Sequence, residues 1–135
     1  MKRFIAILFS LSMILLIASC KKEEEQPKTT YTVIINTSAL TDSATTRCDF
    51  TAYEYDENEE MMAFNDILRG VKGTQETFIA HSNSAKVKMY LEFYADAPDF
   101  PRLKYWDKEV YYLEKDNNIE IIISDATRLV KSEPF

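Results

Sequence analysis

The side chains best suited to chemistry in this sequence are aromatic, and their spacing points to binding. Tyr90 and Tyr94 fall on one side of an alternating run, beside Lys88 and Glu92, while Val87, Met89, Leu91 and Phe93 take the other. In a later run Tyr105 and Tyr111 share one side and Trp106, Val110 and Tyr112 the other, with Phe100 between them and the first run, flanked by Pro98 and Pro101. Rings set beside polar groups stack on sugars or anchor protein contacts. Tyr90, Tyr94, Phe100, Tyr105, Trp106 and Tyr111 are therefore the candidate binding residues, for a glycan or a protein. The competing reading puts Trp106 and Tyr112 in the core and makes the outward tyrosines ordinary cross-strand packing.

Catalysis has much less to work with, and no catalytic residue is assigned. His81 is the one histidine, at the end of a run before Ser82-Asn83-Ser84, where it reads as a surface or half-buried polar residue. Gly70 and Gly73 are the only glycines, which excludes a glycine-rich phosphate loop. Asp56-Glu57-Asn58-Glu59-Glu60 concentrates oxygen ligands of the kind calcium takes, but lacks the alternating spacing and glycine of an EF-hand loop. A solvated acidic turn is the default there, and the same holds for Asp96 and Asp99. No metal and no cofactor is assigned. The formal net charge of −6 argues against nucleic acid as a partner, since phosphate binding needs a basic surface.

The remaining reactive group is Cys20. Met1-Lys2-Arg3 is a positive start, Phe4 to Ala18 is apolar but for Ser10 and Ser12, and Ile17-Ala18-Ser19 places small residues before the cysteine. This is the layout of a secretory signal ending in a lipobox, cut before Cys20, whose thiol then carries lipid. The apolar run is shorter than the roughly 20 residues a spanning helix needs. Several acyl chains on one cysteine make a stable anchor where one chain would be marginal. The partner predicted by this reading is a membrane, held through Cys20.

Cleavage removes Lys2 and Arg3, leaving 14 basic against 22 acidic side chains and a net charge of −8. Residues 20–29 then read as a lipidated cysteine and a charged tether, by composition alone. Within it Lys22-Glu23-Glu24 resembles the export signal of Bacteroidetes-type lipoproteins. That resemblance implies an outer-membrane lipoprotein exposed at the cell surface, the alternative being an anchor facing the periplasm.

Residues 30–135 form one domain of alternating runs. Val, Ile, Thr, Tyr, Phe and Trp number 38 there against 15 for Ala and Leu, which favours sheet. Tyr31, Val33 and Ile35, then Cys48, Phe50 and Ala52, then Ile119, Ile121 and Ile123 each mark one face of a strand. Gln75 to His81 and Lys104 to Leu113 supply two more, with Asp116-Asn117-Asn118 as a turn. Met61, Phe64 and Leu68 have helical spacing with Gly70 as a candidate cap, but a turn at Tyr55 to Glu59 closing a hairpin onto Met61 to Phe64 favours a strand. The expected fold is an antiparallel β-sandwich of about seven strands, immunoglobulin-like or transthyretin-like, behind a lipoprotein signal peptide at residues 1–19. With Cys20 lipidated, Cys48 has no partner and is expected to be a buried free thiol.

The segments Tyr53 to Glu57, Ala85 to Tyr90, Trp106 to Leu113 and the closing Glu133-Pro134 resemble small Bacteroidetes lipoproteins with a single sandwich domain. The resemblance implies the fold and the envelope location and adds no chemistry. The function expected is non-catalytic binding in the bacterial envelope. The alternative is an accessory subunit of an envelope complex, docked through a tyrosine face or an edge strand; a small hydrolase or inhibitor ranks third.

Overall fold

The computed structural model describes residues 28–40 and 47–132. The signal peptide, Cys20, Lys22-Glu23-Glu24 and the closing Glu133-Pro134 lie outside the described residues. Eight strands account for most of the rest: β1 (Thr30–Asn36), β2 (Arg47–Tyr55), β3 (Met61–Gly70), β4 (Gln75–Ile79), β5 (Lys86–Tyr94), β6 (Leu103–Tyr112), β7 (Asn118–Ser124) and β8 (Leu129–Lys131). Met61 to Gly70 is a strand, as the preceding turn predicts. A three-residue 3-10 turn, Ser38–Leu40, follows β1, and no helix among the described residues is long and apolar enough to cross a membrane.

Two sheets form, β4-β1-β7 and β3-β2-β5-β6-β8. The second is antiparallel throughout, but β1 and β7 run parallel from Thr30↔Asn118 to Asn36↔Ser124. The fully antiparallel expectation is corrected on this point. Parallel neighbours need a long crossover, and here nearly the whole domain intervenes between them. The count of seven also rises by one, because Leu129–Lys131 adds a short strand along β6.

The sandwich core comes from the alternation visible in sequence. In β2 the inward residues Cys48, Phe50, Ala52 and Glu54 are all buried, and in β5 Val87, Met89, Leu91 and Phe93 are. Tyr31, Val33, Ile35, Ile121 and Ile123 close over them from the smaller sheet. Cys48 is a free, fully buried thiol, and burial pushes its pKa up, so it is an inert core residue. A Cβ at Gly70 would stand 2.5 Å from Ile35 Cδ1 and 3.1 Å from the Cys48 carbonyl oxygen, so a larger residue there would make the Ile35 side chain shift.

One buried polar cluster joins the layers. The Glu54 carboxylate is fully buried and accepts hydrogen bonds from Tyr31 Oη (3.0 Å), Asn65 Nδ2 (2.8 Å), the His81 backbone N–H (2.8 Å) and Ser84 Oγ (2.6 Å). Four donors match the roughly four acceptor positions of a carboxylate, so the group is satisfied without a cation. It ties β1, β2, β3 and the β4–β5 loop together.

The strand directions give the sandwich two distinct ends. The chain enters β1 at the end carrying the β2–β3, β4–β5 and β6–β7 loops; the β3–β4, β5–β6 and β7–β8 loops sit at the far end.

Candidate aromatic binding face

The outward residues of the five-stranded sheet carry a band of rings. β2 turns Thr51, Tyr53 and Tyr55 outward because its other phase is spent on the core, and β5 turns Lys88, Tyr90 and Glu92 out for the same reason. Tyr53 stands opposite Phe64 of β3, and Tyr90 opposite Trp106 of β6, which in turn faces Val130 of β8. The rings touch in sequence: Phe64–Tyr53 at 6.4 Å, Tyr53–Trp106 at 5.6 Å and Trp106–Tyr90 at 5.1 Å between centroids. Tyr53 and Trp106 belong to strands separated by β5, so their rings meet above it. These separations are those of favourable aromatic pairs. Phe64 is 59% exposed and Val130 41%, and Tyr53, Tyr90 and Trp106 are half-buried against one another.

Charges frame this band and are mostly paired among themselves. At the chain-entry end Glu59 binds both Lys86 and Lys88, and Lys88 Nζ lies 4.6 Å from the Tyr55 ring. Those two ammonium groups hold the Glu59 carboxyl below its usual pKa. At the far end Glu92 is 3.1 Å from Arg102 and 3.8 Å from Lys104, and Arg47 is 2.7 Å from Asp96. Between these pairs the face is aromatic, with the exposed Asp66 of β3 opposite Thr51; burial, and then the Asp66 charge, raise the Tyr53 pKa.

The six sequence candidates separate on this map. Tyr90 and Trp106 sit at the centre of the band. Tyr94 is on the same face but among the charges: its hydroxyl donates to Asp49 (3.0 Å), and the Arg102 guanidinium lies 5.6 Å from its ring. Desolvation and that carboxylate raise the Tyr94 pKa. Tyr105 and Tyr111 are on the inward side of β6, packed against the core, with the Tyr111 hydroxyl donating to the buried Asp107 at 2.6 Å. Phe100 is half-buried in the β5–β6 loop, away from the band. The structure brings together two of the six and adds Tyr53 and Phe64, which the sequence reading passed over. Tyr53 was discoverable, since it alternates with the core residues Ala52 and Glu54 of its own strand.

The acidic turn is internally occupied. Asp56 accepts the backbone N–H groups of Asn58 (2.8 Å) and Glu60 (2.9 Å) and the Asn58 side chain (3.2 Å), which lowers its pKa. Glu59 is committed to Lys86 and Lys88. Among the described residues no group of three or more His, Cys, Asp or Glu could hold a metal ion. His81 is exposed, with Nδ1 accepting the Asn83 N–H at 3.3 Å.

Comparisons with protein-family models, with curated proteins and with solved structures found no match. The geometry of the chain itself is what speaks to its role.

Proposed function

We propose that the mature chain from Cys20 onward is a lipid-anchored, non-catalytic binding module of a bacterial envelope, exposed at the cell surface, with the aromatic face as its ligand surface. The observation that carries this reading is the continuous aromatic band Phe64–Tyr53–Trp106–Tyr90, framed by charges mostly paired with one another. A ligand that gains from such a band is one with apolar faces and hydroxyl edges, namely a glycan. The hydroxyls of Tyr53 and Tyr90 and the ammonium of Lys88 stand beside the rings to meet those edges.

The lipobox before Cys20 supports the anchor, and the likeness of Lys22-Glu23-Glu24 to the Bacteroidetes export signal supports surface exposure. The tether joins the body at Lys28, so the strands of the sandwich would stand away from the membrane and the aromatic band would lie along their flank. For the finer fold type we favour transthyretin-like. An immunoglobulin constant arrangement would unite the first, second, fourth and fifth strands in one sheet, whereas β1 and β4 here share a sheet with β7, and β2 and β5 share the other.

The test is a glycan-array screen of the mature chain beside Tyr90→Ala and Trp106→Ala. The expected result is binding to a restricted glycan set, reduced at least tenfold by either change. No glycan bound, or binding indifferent to both changes, rejects the reading. A second reading, an accessory subunit that docks a partner chain, is favoured by the open edge of β7.

A further inference from the structure

The two sheets are unequal, and the inequality exposes one flank of the sandwich. Three strands at about 4.8 Å spacing cannot cover five. β2 and β5 are covered, as their buried inward residues show, but β6 buries only Asp107 on its inward side. Also on that side, Leu103 is 37% exposed, Tyr105 and Leu129 are half-buried, and Lys131, opposite Tyr105, is exposed. A cavity of about 490 Å³ opens there, with Phe93, Leu103, Tyr105 and Leu129 on one wall and Ile123 of β7 on the other.

β7 borders this space with an unpaired edge. Thr30 N–H donates to the Asn117 carbonyl at 3.1 Å. In a parallel ladder continuing from that bond, Ile119, Ile121 and Ile123 turn their backbone groups toward β1. Those of Asn118, Glu120 and Ile122 then point away from it, and the next outward amide, Ser124, is taken by Thr127 Oγ1 at 2.8 Å. The pairing of β7 with β1 is unbroken over seven residues, and β7 carries no Pro or Lys to blunt its edge. The other long edge strand, β3, is interrupted by two register shifts.

We propose that the β7 edge is a strand-addition site for an extended polypeptide segment from a partner protein, which would become the fourth strand of the smaller sheet. Its inward side chains would be apolar, filling the cavity over Leu103, Tyr105 and Leu129. Its outward side chains would be polar, with a basic residue near the exposed Glu120. Antiparallel pairing of β7 with β7 of a second copy, about a two-fold normal to the sheets, would bring the overhanging β6 and β8 of the two protomers against each other. The tether does not fit, since residues 20–27 are a charge run without apolar alternation.

The experiment is selection of a random twelve-residue phage-displayed peptide library on the mature chain carrying Cys20→Ala. Amide exchange is then followed with the winning synthetic peptide. Enriched peptides should alternate apolar and polar residues and protect the Glu120 and Ile122 amides. Ile122→Pro, which removes an outward amide without breaking a bond to β1, should weaken peptide binding at least tenfold with cooperative thermal unfolding retained. If that variant unfolds, the exchange footprint on the unsubstituted strand decides. Tyr90→Ala should leave peptide binding unchanged, which separates this site from the aromatic face. No enriched peptide, enrichment without alternation, protection elsewhere than β7, or wild-type binding by a folded Ile122→Pro overturns the proposal.

Discussion

The Tyr31 hydroxyl donates a 3.0 Å hydrogen bond to the Glu54 carboxylate across the interface between the two sheets. Both residues are fully buried, and Tyr31 also packs its ring on Phe78 at 5.4 Å. The domain is thus joined by a polar contact as well as by apolar area, and that contact is sensitive in ways that apolar packing is not.

Glu54→Gln keeps the shape and replaces one acceptor oxygen with an NH2 group facing donors. Leaving buried donors unsatisfied costs about 1–3 kcal/mol each. Urea unfolding of the variant should show stability lower by about 2–3 kcal/mol with the denaturant slope unchanged. A midpoint equal to that of the wild type would mean the four hydrogen bonds contribute nothing net.

Alkaline pH should weaken the fold. Burial raises the pKa values of Tyr31 and Cys48 far above their ordinary values of 10.0 and 9.0. Their stabilising contribution is therefore whole below the unfolded values and declines as pH rises above them toward the folded ones. There the unfolded chain binds fewer protons than the folded one, so each group adds a loss of up to about 1.4 kcal/mol per pH unit. Unfolding free energy measured from pH 8 to 11 should fall steadily, and Tyr31→Phe should fall less steeply. A flat profile would contradict the burial of both groups.

How much of this was legible in the sequence depends on the strand. β2 and β5 were readable because one clean alternation runs their full length. β3 shows helical spacing in its sequence because register shifts put one additional residue at each of two places, at Met62 and within Leu68-Arg69, stretching period two toward three and four; the turn before it was the signal for a strand. Arg69 takes a φ of 57° there, a conformation nothing in its residue type announces. β6 also bulges, yet which of its residues share a side was read correctly, because the insertion opposite Met89 is two residues and preserves parity. Which side is buried was not, since Tyr105 and Tyr111 face the core and Tyr112 is exposed. The parallel pairing of β1 with β7 had no local signature, since both strands alternate alike whichever way they run. Glu54 was invisible as a bolt: an acidic residue in phase with a core face looks like an error until its four donors, from distant segments, are in place.

The anchor makes its own prediction. Cys20→Ala should leave the protein unlipidated and released from membranes, read by detergent partitioning and mass spectrometry; a variant still anchored by an uncut N-terminal segment would contradict the lipobox. Alanine at Lys22, Glu23 and Glu24 together should protect the chain from protease added to intact cells, whereas the unsubstituted chain is digested. Equal digestion of both would remove the support for the export signal.

Trp106 is the chain's one tryptophan and lies at the middle of the aromatic band, so its emission reports on that face alone. The most direct measurement is a fluorescence titration of the mature chain with the glycan that the array selects. Stacking on the band predicts a blue shift or quench that saturates at the same midpoint as calorimetric binding. Calorimetric saturation with unchanged tryptophan emission would place the ligand elsewhere and contradict the account.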